Sequence, residues 1–217
     1  MKYLSFLSLL LCSAAALAQA PVVLPGMPRP LMWQNQPASF YVKADSLVIN
    51  SGAKTDMFRD PNVTYNTDNA PKLLMDADEH FVLTAKLHHA FATKWDGAAL
   101  VLIEDSLQWL KFCFEKDYQG SHRVVSVFTN GVSDDANHVA ATGKSFYFKL
   151  AKADNVITLY TSTDGKKWLL VRHLQMNTRQ PLKVGFLAQS PLGTNCKVSI
   201  TNISYRPVKI KDPYVGE

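Results

Sequence analysis

Four residues at two-residue spacing, Trp109, Lys111, Cys113 and Glu115, form the most chemically suggestive pattern in this chain. In an extended strand alternate side chains project to one side. An indole, an ammonium, a thiol and a carboxylate would then share a surface, while Leu110, Phe112 and Phe114 share the opposite one. The mixed surface suits a saccharide: an indole stacks on the apolar face of a sugar ring, and charged groups bind its hydroxyls through charge-assisted hydrogen bonds. A salt-bridged strand facing solvent would show the same spacing. Ser126, on the next strand-like segment, could face this surface. Gln189 ends a segment in which Gly185, Leu187 and Gln189 share a face, with Gly185 leaving room for a ligand or an aromatic ring. Gln189 would line the groove or satisfy loop backbone. Asp56 and Arg59 would reach the mouth of the sheet or tie the N-terminal segment down.

Catalysis would ask for more. Glycoside hydrolysis normally uses two carboxylates about 5–9.5 Å apart. The strand offers Glu115 alone, since Cys113 and Lys111 stand two and four residues before it. A second carboxylate would have to come from Asp56, Asp134 or Asp135. Recognition without turnover is therefore favoured, with a hydrolase or lyase built on Glu115 as the alternative. On that reading Glu115→Gln weakens binding by about 1–3 kcal/mol through loss of a charged hydrogen bond. The stretch Gly131–Asn137 reads as an oxygen-rich loop. Its Asp134, Asp135 and Asn137 would be calcium ligands, yet they fall short of the six to eight oxygens that ion takes, and local Asx turns explain them better. No cofactor is required, and calcium is the single candidate. The six histidines show no metal-ligand spacing.

The elements that must hold these residues are strands. At 217 residues, 47% hydrophobic and 19% charged, the chain has ample material for a core. From Phe40 onward strand-like segments alternate with turns such as Asn130-Gly131 and Asp164-Gly165. Twelve strands are predicted: Phe40–Lys43, Ser46–Asn50, Lys72–Met75, Phe81–His88, Ala98–Glu104, Trp109–Glu115, Val124–Thr129, Ser145–Lys152, Val156–Ser162, Leu169–Leu174, Leu182–Leu187 and Cys196–Tyr205. That number at this spacing implies an all-β antiparallel sandwich. If one face of the Trp109–Glu115 strand is buried and the other wet, Phe112→Ala costs about 3–5 kcal/mol and Lys111→Ala under about 1. Cys113 and Cys196 belong to opposite kinds of face, which argues against a disulfide. Before the sandwich, residues 19–39 are proline-rich and read as an extended strap; residues 208–217 read as a C-terminal tail, loose from Asp212 to Glu217. Basic residues number 23 against 18 acidic ones and are scattered, so nucleic acid is not indicated.

Several stretches also carry a family resemblance. GAKTDMFRDP (52–61), NAPKLL (69–74), WDGAALVL (95–102), WLKFCFE (109–115), VVSVFTNGVSDDAN (124–137), STDGKKWLLVR (162–172) and VGFLAQSPLGTNC (184–196) occur in order. In them the chain resembles the uncharacterised family related to the yeast "regulation of enolase" protein, within the concanavalin A-like lectin/glucanase superfamily. The resemblance spans Leu31 to Tyr205. It implies a jelly-roll sandwich, tilts the polar face towards a saccharide or polysaccharide partner on a concave sheet, and makes the strands carrying Ser126 and Gln189 neighbours of Trp109–Glu115.

The first eighteen residues stand apart. Lys2 precedes an apolar run from Leu4 to Leu17, and Ala16-Leu17-Ala18 is an A-x-A site, the features of a secretory signal peptide. The run is too short for a membrane span. A periplasmic or extracellular address is expected, with mature protein beginning at Gln19. Intact mass of exported material checks this; a chain retaining Met1, or starting at an acylated Cys12, would defeat it.

Overall fold

The computed structural model describes residues 20–90 and 92–217. Residues 1–18, read from sequence as a signal peptide, lie outside that range. Sixteen strands follow in chain order: β1 (Met32–Gln34), β2 (Ser39–Lys43), β3 (Ser46–Asn50), β4 (Met57–Arg59), β5 (Asn66–Asp68), β6 (Lys72–Asp76), β7 (Phe81–His89) and β8 (Gly97–Ile103), then β9 (Gln108–Lys116), β10 (His122–Asn130), β11 (Val132–Ala140), β12 (Ser145–Ala153), β13 (Val156–Ser162), β14 (Leu169–Gln175), β15 (Lys183–Gln189) and β16 (Lys197–Arg206). They build two seven-stranded antiparallel sheets, ordered β1-β6-β15-β8-β9-β10-β11 and β14-β13-β12-β7-β16-β3-β2, with β4 and β5 as a separate hairpin. The fold is a concanavalin A-like β-sandwich, as expected. Among the described residues no helix is long and apolar enough to cross a membrane.

Alternation explains the core. In β7, Phe81, Leu83, Ala85 and Leu87 are fully buried, while Thr84, Lys86 and His88 take the other side. From the facing sheet β9 contributes Leu110, Phe112 and Phe114, also fully buried. Phe112 meets Phe148 of β12 edge-on, 4.6 Å between ring centres, and Phe114 stands 5.8 Å from Phe146. This aromatic seam joins the two sheets.

Both outer faces are covered as well, which hydrophobic alternation alone does not predict. On the second sheet the C-terminal residues fold back. Lys149 Nζ donates to Gly216 O at 2.9 Å, Tyr160 Oη donates to Pro213 O at 2.5 Å, and the Lys149 ammonium lies 4.1 Å from the centre of the Trp168 ring. Residues 212–217 are thus a bonded cap, where a loose tail was expected. The N-terminal strap is tied in too, through Leu24, Leu31 and Trp33, which enter the core.

All twelve expected strands are present, and four more go beyond them: β1, β4, β5 and β11. The first three have three residues each, too short for a period to register. β11, read as a loop, carries Asp134, Asp135 and Asn137, residue types depleted in strands. It forms nonetheless because the Gly131 turn (φ +79°) folds it back onto β10 along their length, and as an edge strand it tolerates charge.

Candidate functional site

β9 supplies the floor of the site, and its register decides who joins it. Directly paired residues in antiparallel strands share a face. Glu115 pairs with Arg123 of β10 on one side and Gly97 of β8 on the other; Lys111 pairs with Val127 and Val101. A Cβ on Gly97 would stand 3.1 Å from that of Glu115, so glycine there gives the carboxyl side chain its room. β11 adds Asp135, the partner of Val127.

Over this floor lies the β4–β5 hairpin. Met57 is 1% exposed and packs with Trp109, Cys113, Val127 and Leu187 on the outer face of the first sheet. Trp109 is consequently a core residue, 1% exposed, and not the stacking platform that its position on the polar face suggested. Lys111 is likewise sealed beneath the hairpin, so the expectation that its removal is cheap does not hold. The register also corrects Ser126. It pairs with Phe112 and therefore points between the sheets, where its hydroxyl meets His138 Nε2 at 2.8 Å and accepts from Arg172 at 3.1 Å. Gly185 leaves no space for a ligand: a Cβ there would fall 2.0 Å from Leu73 O, so it permits close strand packing.

One end of the face stays open, as a cavity of about 320 Å³. Lys111, Glu115, Gln189 and Asp56 line it, four of the six expected binding residues. Lys111 Nζ donates to Met57 O at 2.8 Å and Gln189 Oε1 at 2.9 Å, and lies 3.8 Å from Asp56 Oδ1. Gln189 Nε2 donates to Trp95 O at 2.8 Å. The amide thus fills both roles foreseen for it, groove wall and support of a loop. Asp56 also does both: it accepts from Met57 N and Thr67 Oγ1, closing the hairpin, while facing the cavity.

The two aromatic residues at the mouth were not anticipated. Trp95 is 40% exposed and Tyr65 51% exposed, and Phe58 backs Tyr65 at 6.0 Å between ring centres. Trp95 holds a left-handed backbone (φ +62°), rare for a bulky residue. Its N–H donates to Lys116 O and its carbonyl accepts from Gln189, while Asp96 beside it is fixed by Thr93 N and Ser190 Oγ. Strain held by surrounding bonds at a cavity mouth is a mark of a functional position. Both aromatics sit in turn-like sequence, one opening Trp95-Asp96-Gly97 and one between Thr64 and Asn66, where no periodicity singles them out.

Electrostatics set Glu115 apart. Among the described residues no hydrogen bond or ion pair engages its carboxyl. Burial raises its pKa to about 8; Lys111 opposes the shift and Asp135, Asp56 and Asp117 add to it. At neutral pH it is a protonated donor aimed into the cavity. Burial also raises Asp135. For Lys111, burial works against the charge and the surrounding acids outweigh it, so its pKa is raised.

The calcium set does not converge. Because β11 is a strand, Asp135 and Asn137 take the cavity side and Asp134 the other, where it accepts from Arg172 at 2.6 Å. The only cluster of potential metal ligands among the described residues, Glu79, His80 and Asp154, lies elsewhere, with Lys209 already on Asp154 at 2.5 Å. Cys113 and Cys196 are free and buried in separate clusters.

Comparison with known proteins adds the relationship. The family model described as "Protein of unknown function (DUF1349)" matches residues 33–208. The chain belongs to this family. It is 26% identical over 173 residues to "Regulation of enolase protein 1" of Saccharomyces cerevisiae, covering 79% of this chain and 87% of that one. A crystal structure of a functionally unknown Saccharomyces cerevisiae protein superposes with a TM-score of 0.74 at 24% identity, over 81% of this chain and 95% of that one. The GH43 BlXynB protein of Bacillus licheniformis gives 0.61 at 14% identity, over 81% of this chain but 37% of its own. A legume lectin-like domain from Entamoeba histolytica gives 0.55 at 9%, over 81% and 90%. These likenesses establish the sandwich.

Proposed function

We propose that the protein is an exported, lectin-like binder of a saccharide, held in the cavity between Trp95 and Tyr65. The observation that carries this reading is the pairing of two exposed aromatic rings at the mouth with a polar floor that is already satisfied. Lys111, Gln189 and Asp56 bond one another and the hairpin, so they shape the floor at little further desolvation cost. Glu115 retains its full capacity, a carboxyl able, when neutral, to donate to one sugar oxygen and accept from another. Aromatic walls with a few fixed polar groups are how small-ligand pockets are built. The lectin-like neighbour supports the reading at the level of fold.

A second reading is favoured by one observation. A carboxyl protonated at neutral pH, facing a cavity that also holds Asp135, is equipped to act as a general acid. A glycan-active enzyme would use Glu115 as that acid and Asp135 as its partner.

A panel of plant, algal and bacterial glycans separates the two: binding without new reducing ends or unsaturated products supports recognition, and product formation supports the enzyme. Trp95→Ala is the decisive variant. It should weaken glycan binding about tenfold, the worth of one stacked ring, while leaving stability within about 1 kcal/mol because the ring is exposed. Affinity unchanged by this substitution would remove the aromatic mouth from the site.

A further inference from the structure

We infer that the segment 55–69 turns the outer face of the first sheet into a blind pocket, so that the site takes the terminal unit of a glycan and not an internal stretch of polymer. The inference rests on the saccharide reading above. An open cleft would let a polymer run across successive strands; here the chain itself occupies that path. At one end Thr55 and Ser190 form an isolated antiparallel bridge just beyond β15, with N–H to carbonyl distances of 3.2 and 3.0 Å. At the other, Arg59 Nε donates to Gly131 O at 2.6 Å and Arg59 N donates to Ser133 Oγ at 3.0 Å, at the start of β11. The sheet order between those anchors is β15-β8-β9-β10-β11. The strap therefore crosses five strands.

It also lies flat on them. Met57 is buried against Trp109 and Cys113, and its carbonyl receives the Lys111 ammonium, so no sugar can pass beneath. Rims close what remains. Lys54 Nζ donates to Leu192 O at 2.7 Å, tying the residue before the strap to the loop after β15, and Gln189, the last residue of β15, holds the Trp95 turn. At about 320 Å³ the cavity is at the small end for ligand sites, about 300–1,000 Å³, which suits a terminal unit and excludes a run of rings.

Chain-length dependence tests this. The full mature protein is titrated calorimetrically with oligosaccharides of one to six units from β-1,4-xylan, β-1,3-glucan and α-1,4-galacturonan, and with the intact polymers. In a series that binds, affinity should level off by the second unit and change less than about threefold from two units to six. Random partial cleavage of the polymer at constant mass should raise the protein bound in proportion to the new chain ends. An affinity that climbs tenfold or more between two and six units, or binding that follows polymer mass, would overturn the blind pocket and leave saccharide recognition standing. Silence across every series would overturn both.

Discussion

Alanine at Lys111 is expected to cost the fold as much as alanine at Phe112, about 3–5 kcal/mol each. For Phe112 the cause is a cavity: the ring is fully buried and meets Phe148 edge-on at the centre of the inter-sheet seam. For Lys111 the cause is different. The residue is 2% exposed, and its ammonium serves Met57 O, Gln189 Oε1 and Asp56 together. Removing it strands two acceptors under the hairpin and takes the counter-charge from Asp56, and a group left unpaired in a buried site loses its full desolvation energy. Lys111→Met would restore the volume alone, so the loss that persists in it measures the orphaned acceptors. Urea unfolding of the three variants checks the claim. A Lys111→Ala loss under about 1 kcal/mol would mean the strap does not seal the face.

The second large effect depends on pH. Glu115 titrates at about 8 in the fold against an ordinary 4.5, chiefly because it is buried. Between those values the folded protein holds a proton that the unfolded chain has released, so stability falls as pH rises from 4.5 through 8. The swing is on the order of 4 kcal/mol. Gln at position 115 cannot titrate. The stability of Glu115→Gln relative to the wild type should therefore rise by that amount between pH 4.5 and 8, then level off. Lys149, lowered to about 8 mainly by its burial, acts above this window and cancels in the difference. Parallel wild-type and variant profiles from pH 5 to 8 would show that Glu115 is ionised in the fold. The same protonation revises what the substitution does to binding. Below pH 7 a glutamine imitates the neutral acid, so saccharide affinity should stay within about threefold, and the 1–3 kcal/mol loss expected for a charged contact should appear on Glu115→Ala.

Much of this molecule was legible in the linear order of residues. Alternation in β9 is local, set by geometry every two residues; it correctly divided Leu110, Phe112 and Phe114 from Trp109, Lys111, Cys113 and Glu115, and with eleven similar segments it implied the sandwich. The same division kept Cys113 and Cys196 apart. What alternation cannot supply is the register between strands or the identity of whatever lies on top of a sheet. Ser126 was set beside Lys111, but the pairing of β9 with β10 gives that place to Val127 and turns Ser126 inward; a shift of one residue reverses every side chain. Trp109 was on the right face and still not in the groove, because a hairpin of two three-residue strands, too short to show a period, folds across that face and buries it. Asp134 and Asp135 read as one oxygen-rich loop until the Gly131 turn made them a strand and sent them to opposite sides. Trp95 and Tyr65 meet at the cavity mouth from segments 30 residues apart in number, brought together only by long-range closure. The residue sequence by itself determined twelve of the sixteen strands, the inner core and the polar strip of β9; the tertiary structure decided which part of that strip remains open, because coverage of a sheet face depends on contacts between segments that no local pattern links.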